Sequence, residues 1–402
     1  MKRLTHDIKF PTGKNKYFVW IFAICIYCLA MPYYMWQLNY KPFLIICALL
    51  LTIYFEKINI LDKVFFGFSM ILLYLYIGII SNWSLWGIIY LLLIIPIFFA
   101  KNKFIKQSFD LYIFIFSIML VPSILQFIFV SILGVDMPHS TIKSLNAEKI
   151  GIYSRYLFMV SYSGGEIQLN SILPRFYSYF DEPGVVGTIS AVMLSVKKFN
   201  LKSWINIPIF VAGILSFSLF FYLTTLIYLF ILVKMKYKLV IIPALALLFI
   251  LFSESELLKF HLIDRLDFNS NFVESFINFR NESGFQDWYS NFNKTPQYFT
   301  GMGAGYSSIV NMGGSSYKNI ITDFGIIFFV TYVVVFALYA IRTLGYSKEL
   351  LITLLVLFGI MYQRPFIQDL SYVFLIYAPI AFFKEETGMS IKRSKDERER
   401  RI

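Results

Sequence analysis

The segment from Arg175 to Gly187 holds the most chemistry in the sequence, and it reads Arg-Phe-Tyr-Ser-Tyr-Phe-Asp-Glu-Pro-Gly-Val-Val-Gly. A guanidinium binds phosphate in a planar fork, and the N-terminus of a helix attracts anions. The segment therefore predicts a phosphate-facing site in which Arg175 binds the anion and Glu182 stands at the start of the helix. The alternative is structural, because an acidic residue before Pro183 is typical of a helix start, where it caps the first turn.

Other arginines and a histidine lie in the polar stretches between apolar runs. Arg280 is a second candidate for contacting a pyrophosphate. Arg155 and Arg265 are candidate substrate-binding residues with acidic neighbours in the sequence, and surface ion pairs explain them more simply. His261 is a candidate general base, because imidazole titrates near neutral pH. Arg364, before Pro365, is expected to extend its charged head to water at a helix end.

The stretch Gly301-Met-Gly303-Ala-Gly305 resembles a nucleotide-binding loop, but neither a preceding strand nor a βαβ unit accompanies it. A tight turn with exposed N–H groups is the better interpretation. Such a turn can cradle an anion, which makes Gly303 and Gly305 candidate substrate-binding residues, and a plain turn is the alternative. Tyr317, farther along, is a further candidate for contacting the substrate. Asp323 is expected to offset the dipole at a helix N-terminus.

No cluster of His, Cys and carboxylate residues has the spacing of a metal site, so we expect neither a metal nor a cofactor.

The elements that position these residues follow from the composition. Of the 402 residues, 58% are hydrophobic and only 15% are charged, which excludes a single water-soluble domain. The mean hydropathy of +0.66 requires that much apolar surface faces lipid, so we predict an all-α, polytopic membrane protein. The net charge of +12 is explained by basic cytoplasmic loops, and nucleic acid is not expected as a partner.

Twelve apolar runs predict about 12 transmembrane helices in one membrane domain, 1–402. They are 17–37, 42–55, 64–80, 84–100, 109–134, 183–196, 204–217, 219–233, 239–252, 320–340, 349–363 and 366–383. The run 204–233 is split near Ser216 and Ser218, because one helix of that length would overshoot the bilayer.

The charge pattern predicts the orientation of these runs. The short connections 101–108, 197–203 and 234–238 each carry three lysines, which predicts that they and both termini are cytoplasmic. Two large loops, 135–182 and 253–319, are then external, and we expect the chemistry there. The basic tail, 384–402, mixes charges of both signs and is expected to be solvated and partly disordered.

This plan resembles the O-antigen and capsular polysaccharide polymerases, the Wzy family, which are related to the O-antigen ligases. The resemblance is carried by the twelve-run plan with two large loops, by the segment 175–187, and by Gly301–Gly305 followed by Asn319 and Asp323-Phe324-Gly325. The local motifs cover about a tenth of the chain. The related ligases often carry an arginine after the serine at the middle outer turn. This chain has Ser216-Phe217-Ser218-Leu219 there, which favours a polymerase.

The resemblance implies a metal-independent glycosyltransferase of the bacterial inner membrane. It would transfer a growing glycan from undecaprenyl pyrophosphate to the sugar of another lipid-linked repeat unit on the periplasmic face. Donor and acceptor are both lipid-linked, membrane lipid surrounds the protein, and a chain-length regulator and a flippase are candidate partners. The resemblance also implies arginines on the pyrophosphate, which fall on Arg175 and most nearly on Arg280. The transfer that it implies needs a general base, for which Glu182 is the first choice and His261 the second.

Two other functions remain open. The first is an O-antigen ligase that transfers the finished glycan to a lipid A-core acceptor. The second, from another class, is a flippase for lipid-linked oligosaccharides. A transporter typically shows internal repeats and charges within its spans, and neither is evident here.

Overall fold

The computed structural model describes residues 16–36, 46, 63–82, 94–143, 152–162, 174–232, 283–309 and 316–399. Contacts divide the chain into two compact units. The first unit comprises Met1–Ala30, Leu38–Ile115 and Asp287–Ile402, and the second comprises Met31–Gln37 and Phe116–Gln286. The single membrane domain expected from the sequence stays a prediction.

The described chain is mostly helical, as predicted. Its α-helices are α1 (Lys16–Leu29), α2 (Val64–Ile80), α3 (Pro96–Phe99), α4 (Asn102–Phe127), α5 (Pro183–Val196), α6 (Asn206–Leu215), α7 (Leu219–Leu232), α8 (Ser283–Phe292), α9 (Gln297–Thr300), α10 (Tyr306–Ile309), α11 (Tyr317–Leu344), α12 (Lys348–Gln363) and α13 (Leu370–Glu399). A 3₁₀ turn covers Tyr33–Met35, and a π-helical segment, Ile128–Ile132, continues α4.

Two of the described helical stretches are long and apolar enough to cross a membrane by length and composition. They are Asn102–Ile132, which joins α4 to its π segment, and Tyr317–Leu344. Shorter apolar stretches of 10 to 17 residues lie in α1, α2, α5, α6 and α7. Runs 42–55 and 239–252, apart from residue 46, lie outside the described residues, as does most of 84–100. The number of spans therefore stays a prediction.

The run 204–233 forms two helices, α6 and α7, as predicted from its length. Ser216 and Phe217 make the turn between them, and Phe217 takes a positive φ of 47°. Both helices pack on α5 in the second unit. In the tail, α13 continues as a helix to Glu399. That the tail is solvated and partly disordered stays a prediction.

The loop 135–182 contains a small antiparallel sheet that the sequence analysis did not predict. Its strands are β1 (Ser140–Lys143), β2 (Ile152–Arg155) and β3 (Val160–Tyr162), in the order β1-β2-β3. Ser140 pairs with Arg155, and Tyr153 pairs with Tyr162. Tyr153 is 1% exposed, so the middle strand anchors the sheet in the second unit.

The core of the first unit is aromatic. The rings of Phe66 and Tyr339 stack with centroids 4.1 Å apart, and the Tyr377 ring lies nearly parallel to both, 6.0 Å from Phe66 and 6.1 Å from Tyr339. Lys63, just before α2, is buried beside them and donates from Nζ to the Tyr377 hydroxyl at 2.9 Å and to the carbonyl oxygen of Ala100. Burial lowers the pKa of Lys63 to about 7.

Candidate functional site

In the second unit, the segment before α5 is held by backbone contacts on several sides. The N–H of Phe176 donates to the carbonyl oxygen of Leu215 at 2.9 Å, and the N–H of Val160 donates to that of Ser178 at 2.8 Å. The Tyr153 hydroxyl donates to the carbonyl oxygen of Asp181 at 2.8 Å. Residues 174–182 are thereby fixed against the sheet and the end of α6, even though they form no regular element.

Glu182 stands immediately before α5 in an extended conformation, with φ −143° and ψ 139°, and Pro183 is the first helical residue. The position is the one predicted for a helix cap. However, the Glu182 side chain makes no capping hydrogen bond with the first turn, and it is partly exposed. The Glu182 carboxylate therefore lacks the hydrogen bond to the first turn that a capping side chain makes. By contrast, every residue of α5 itself is buried.

Arg175 holds the turn between α6 and α7. Its Nε–H donates to the carbonyl oxygen of Ser216 at 3.1 Å, and Nη2 donates to that of Phe217 at 3.2 Å. These contacts orient the planar guanidinium through two neutral acceptors, so they do not cancel its charge.

The same turn lies directly on α5. A Cβ added at Gly187 would stand 2.1 Å from the Cβ of Ser218, which real Cβ atoms do not tolerate. Glycine at 187 therefore lets the turn to which Arg175 donates approach α5.

Tyr177 connects the two leading candidates. Burial raises the pKa of its hydroxyl to about 12, the Arg175 charge opposes this rise, and the Glu182 and Asp181 carboxylates add to it. The guanidinium and the carboxylates thus affect the pKa of the Tyr177 hydroxyl in opposite directions, and the hydroxyl stays protonated at neutral pH. Tyr177 was not among the site residues predicted from the sequence. Its place between Arg175 and Asp181 in one short segment was the signal that could have identified it.

The remaining predicted residues of the loops fall into two groups. Arg155 is exposed at the end of β2, and its Nε–H donates to the Ser140 Oγ at 3.0 Å, across the strand pair. His261, Arg265 and Arg280 lie outside the described residues, so their roles stay predictions.

The glycine-rich stretch belongs to the first unit, and it cradles an anion of the chain itself. The N–H groups of Gly305 and Ser307 donate to the two carboxylate oxygens of Asp323, each at 2.9 Å. The N–H of Gly303 donates to the Asp323 carbonyl oxygen at 2.8 Å, and that of Ala304 donates to the Ser81 Oγ at 2.9 Å. Binding of a substrate by Gly303 and Gly305 stays a prediction, and the tight turn is confirmed.

The backbone geometry of this stretch explains its glycines. Gly301, Gly303 and Gly305 have φ of 85°, 102° and 81°, and Gly325 has φ of 86° where it breaks α11. A Cβ at Gly325 would stand 2.2 Å from the carbonyl oxygen of Phe299. Asp323 thus binds loop amides, whereas Ser316, through its Oγ, caps α11. Tyr317, the first residue of α11, is partly buried, and its ring lies 5.8 Å from that of Phe329.

Arg364 corrects one expectation. It is 5% exposed in the connection between α12 and α13, so its head does not extend to water. Nearby, Ser371 donates to the Asp369 carboxylate from both its N–H and its hydroxyl, at 3.1 and 2.9 Å. The sequence pattern failed here because a hydropathy profile places a charge near a helix end without showing whether the connection folds inward.

In the described part of the chain, no three His, Cys, Asp or Glu side chains come together as a metal site would require. Comparison with protein-family models, with curated proteins and with solved structures gives no significant match. Function must therefore be inferred from the residues themselves.

Proposed function

We propose that the chain is a polytopic enzyme of the bacterial inner membrane with about 12 transmembrane helices and two large periplasmic loops. Its reaction is the polymerisation of undecaprenyl-pyrophosphate-linked oligosaccharide repeat units into O-antigen or capsular polysaccharide. The apolar composition, the two long apolar helical stretches and the five shorter ones support a membrane location. The resemblance of the sequence to the polymerases supports the reaction.

One observation supports the site most directly. Arg175 is oriented by its bonds to the turn that lies on α5, and Glu182 stands immediately before the first residue of that helix, so one short segment brings both to α5. A glycosyl pyrophosphate already carries its leaving group, so the enzyme must align donor and acceptor, offset negative charge on the departing pyrophosphate, and remove one proton. A fixed cation beside a helix N-terminus suits the second task.

The proposed step follows from these roles. The acceptor hydroxyl oxygen attacks the anomeric carbon of the donor, the bond from that carbon to the pyrophosphate oxygen breaks, and its electron pair leaves on the pyrophosphate. Arg175 offsets the charge that develops there, and Glu182 takes the proton of the acceptor hydroxyl. The helix N-terminus that favours the pyrophosphate also stabilises the Glu182 carboxylate, which makes it a weaker base. Proton transfer therefore occurs late, once the new bond has made the hydroxyl acidic.

The test is the glycan made by a strain that lacks the protein. Lipopolysaccharide capped with a single repeat unit identifies a polymerase, whereas lipopolysaccharide with no repeat unit identifies a ligase or a flippase and refutes the proposal. Purified protein given lipid-linked repeat units should then build a ladder. We expect this activity to persist in EDTA, because arginine, rather than a divalent cation, offsets the charge of the pyrophosphate. Complete loss of activity in EDTA that Mg²⁺ restores would contradict metal-independent transfer.

A further inference from the structure

Seven aromatic side chains of the second unit pack around two buried tyrosines. These two, Tyr153 and Tyr179, are 1% and 2% exposed. The other five side chains are at least partly exposed, and we name them the aromatic platform. It consists of Tyr33, Tyr34, Trp36, Tyr162 and Tyr177.

Each ring of the aromatic platform packs on one of the two buried tyrosines. The centroids of Tyr33 and Tyr34 lie 5.9 and 6.1 Å from that of Tyr179, and the first pair is nearly parallel at 15°. Around Tyr153, the centroid distances are 5.6 Å to Trp36, 5.1 Å to Tyr162 and 6.0 Å to Tyr177. Such spacings are those of favourable aromatic pairs, so the platform is organised before any ligand arrives.

Hydrogen bonds fix the chain segments that carry these rings. The N–H of Tyr33 donates to the carbonyl oxygen of Tyr179 at 2.6 Å, and its hydroxyl donates to that of Leu157, also at 2.6 Å. The indole N–H of Trp36 donates to the carbonyl oxygen of Met31 at 3.0 Å. The segment that follows α1, the sheet and the segment before α5 are thereby joined into one surface.

The polar groups around the rings indicate what this surface binds. The Asp181 and Glu182 carboxylates act on the phenols of Tyr153 and Tyr177, and the Arg155 guanidinium acts on that of Tyr33. Lipid acyl chains would strip water from these carboxylates without replacing its hydrogen bonds, which is costly. A sugar ring offers C–H faces to the aromatic rings and hydroxyl donors to the carboxylates, so it satisfies both.

We propose that the aromatic platform binds the sugar rings of the glycan, with Asp181 and Glu182 accepting hydrogen bonds from sugar hydroxyls. The inference rests on the proposed function and deepens it, because it separates the binding of sugar from the binding of pyrophosphate by Arg175. It also brings a sugar hydroxyl to the carboxylate that takes the proton.

The test uses the full-length protein in lipid nanodiscs. The probe is the oligosaccharide that mild acid releases from the lipid-linked repeat units of the same cells, which has neither lipid nor pyrophosphate. We expect it to bind the unaltered protein, and we expect Trp36→Ala and Tyr177→Ala to weaken binding at least ten-fold. Tyr346→Ala removes a tyrosine that is 93% exposed between α11 and α12, and it should leave binding unchanged. Equal binding by all four proteins would overturn the proposal.

A second measurement needs no variant, so it stands even if an alanine protein fails to fold. Saturating the aromatic protons of the unaltered protein should transfer magnetisation to the C–H protons of the bound oligosaccharide, and the lack of transfer would overturn the proposal. Ladder synthesis from lipid-linked units separates the two claims. If the protein binds the oligosaccharide through Trp36 and Tyr177 but makes no ladder, the aromatic platform is supported and the proposed polymerase function is refuted. If the protein makes ladders but Trp36→Ala and Tyr177→Ala bind the oligosaccharide as well as the unaltered protein does, sugar binding by the aromatic platform is refuted and the polymerase function is not.

Discussion

Substitution of Glu182 by glutamine separates a capping role from a catalytic one. A capping side chain is worth about 0.5–2 kcal/mol of unfolding free energy. Because Glu182 makes no capping hydrogen bond to the first turn of α5, we expect Glu182→Gln to lose only the interaction of its charge with the helix N-terminus, about 0.3–1 kcal/mol. As a general base it contributes about 10²–10⁴-fold to the rate, so the same substitution should lower polymerisation by that factor.

The chain offers a matched control at the start of α12. The Ser347 Oγ accepts the N–H of Leu350 at 3.1 Å, which is a working cap. Ser347→Ala should cost about 0.5–2 kcal/mol of stability and leave the ladder intact.

The assay pairs melting of the purified protein in detergent with the rate of ladder formation from lipid-linked units. A Glu182→Gln protein that makes ladders as long as those of Ser347→Ala would refute a catalytic role for Glu182.

Three further predictions concern other residues. Arg175→Lys keeps the charge but loses the planar donors that reach Ser216 and Phe217, so it should impair polymerisation nearly as much as Arg175→Ala. A normal glycan ladder from Arg175→Lys would show that only the charge at this position matters. Asp323→Asn keeps one acceptor for two loop amides, so we expect a loss of about 2–4 kcal/mol by melting, while Asp287→Asn on the exposed face of α8 should cost almost nothing. The pKa of Lys63 is about 7 in the folded protein and 10.5 ordinarily, so between these values only the unfolded chain binds the proton and stability should rise with pH. Lys63→Met should remove that rise in melting temperature, and a rise of the same size in Lys63→Met would assign it to another group.

The helices with well-defined ends were predictable from sequence. Residues 64–80 and 183–196 were predicted at their observed bounds, because Lys63 and the acidic pair before Pro183 interrupt the apolar runs where the helices begin. A hydropathy profile identifies the apolar part of a helix and not its polar ends. It therefore missed the polar first turns of α4 and the long polar end of α13.

Contacts between distant parts of the chain were beyond prediction. The strands of the sheet are three or four residues long, and their register joins Ser140 to Arg155 across residues that local pattern does not connect. The glycines at 301, 303 and 305 predicted a turn with exposed amides. Only the fold supplies its anion, Asp323, from a helix farther along the chain.

The way Asp323 is bound has a consequence for recognising distant relatives of this chain. Main-chain N–H groups and the Ser307 side chain contact Asp323, so the side chains of Met302 and Ala304 take no part and can vary in sequence. The glycines that take positive φ angles must be retained, and so must the Asp323 carboxylate, 18 residues after Gly305. A search for Gly-x-Gly-x-Gly, followed at about that distance by Asp-x-Gly at the start of an apolar helix, would find such relatives after overall similarity has faded.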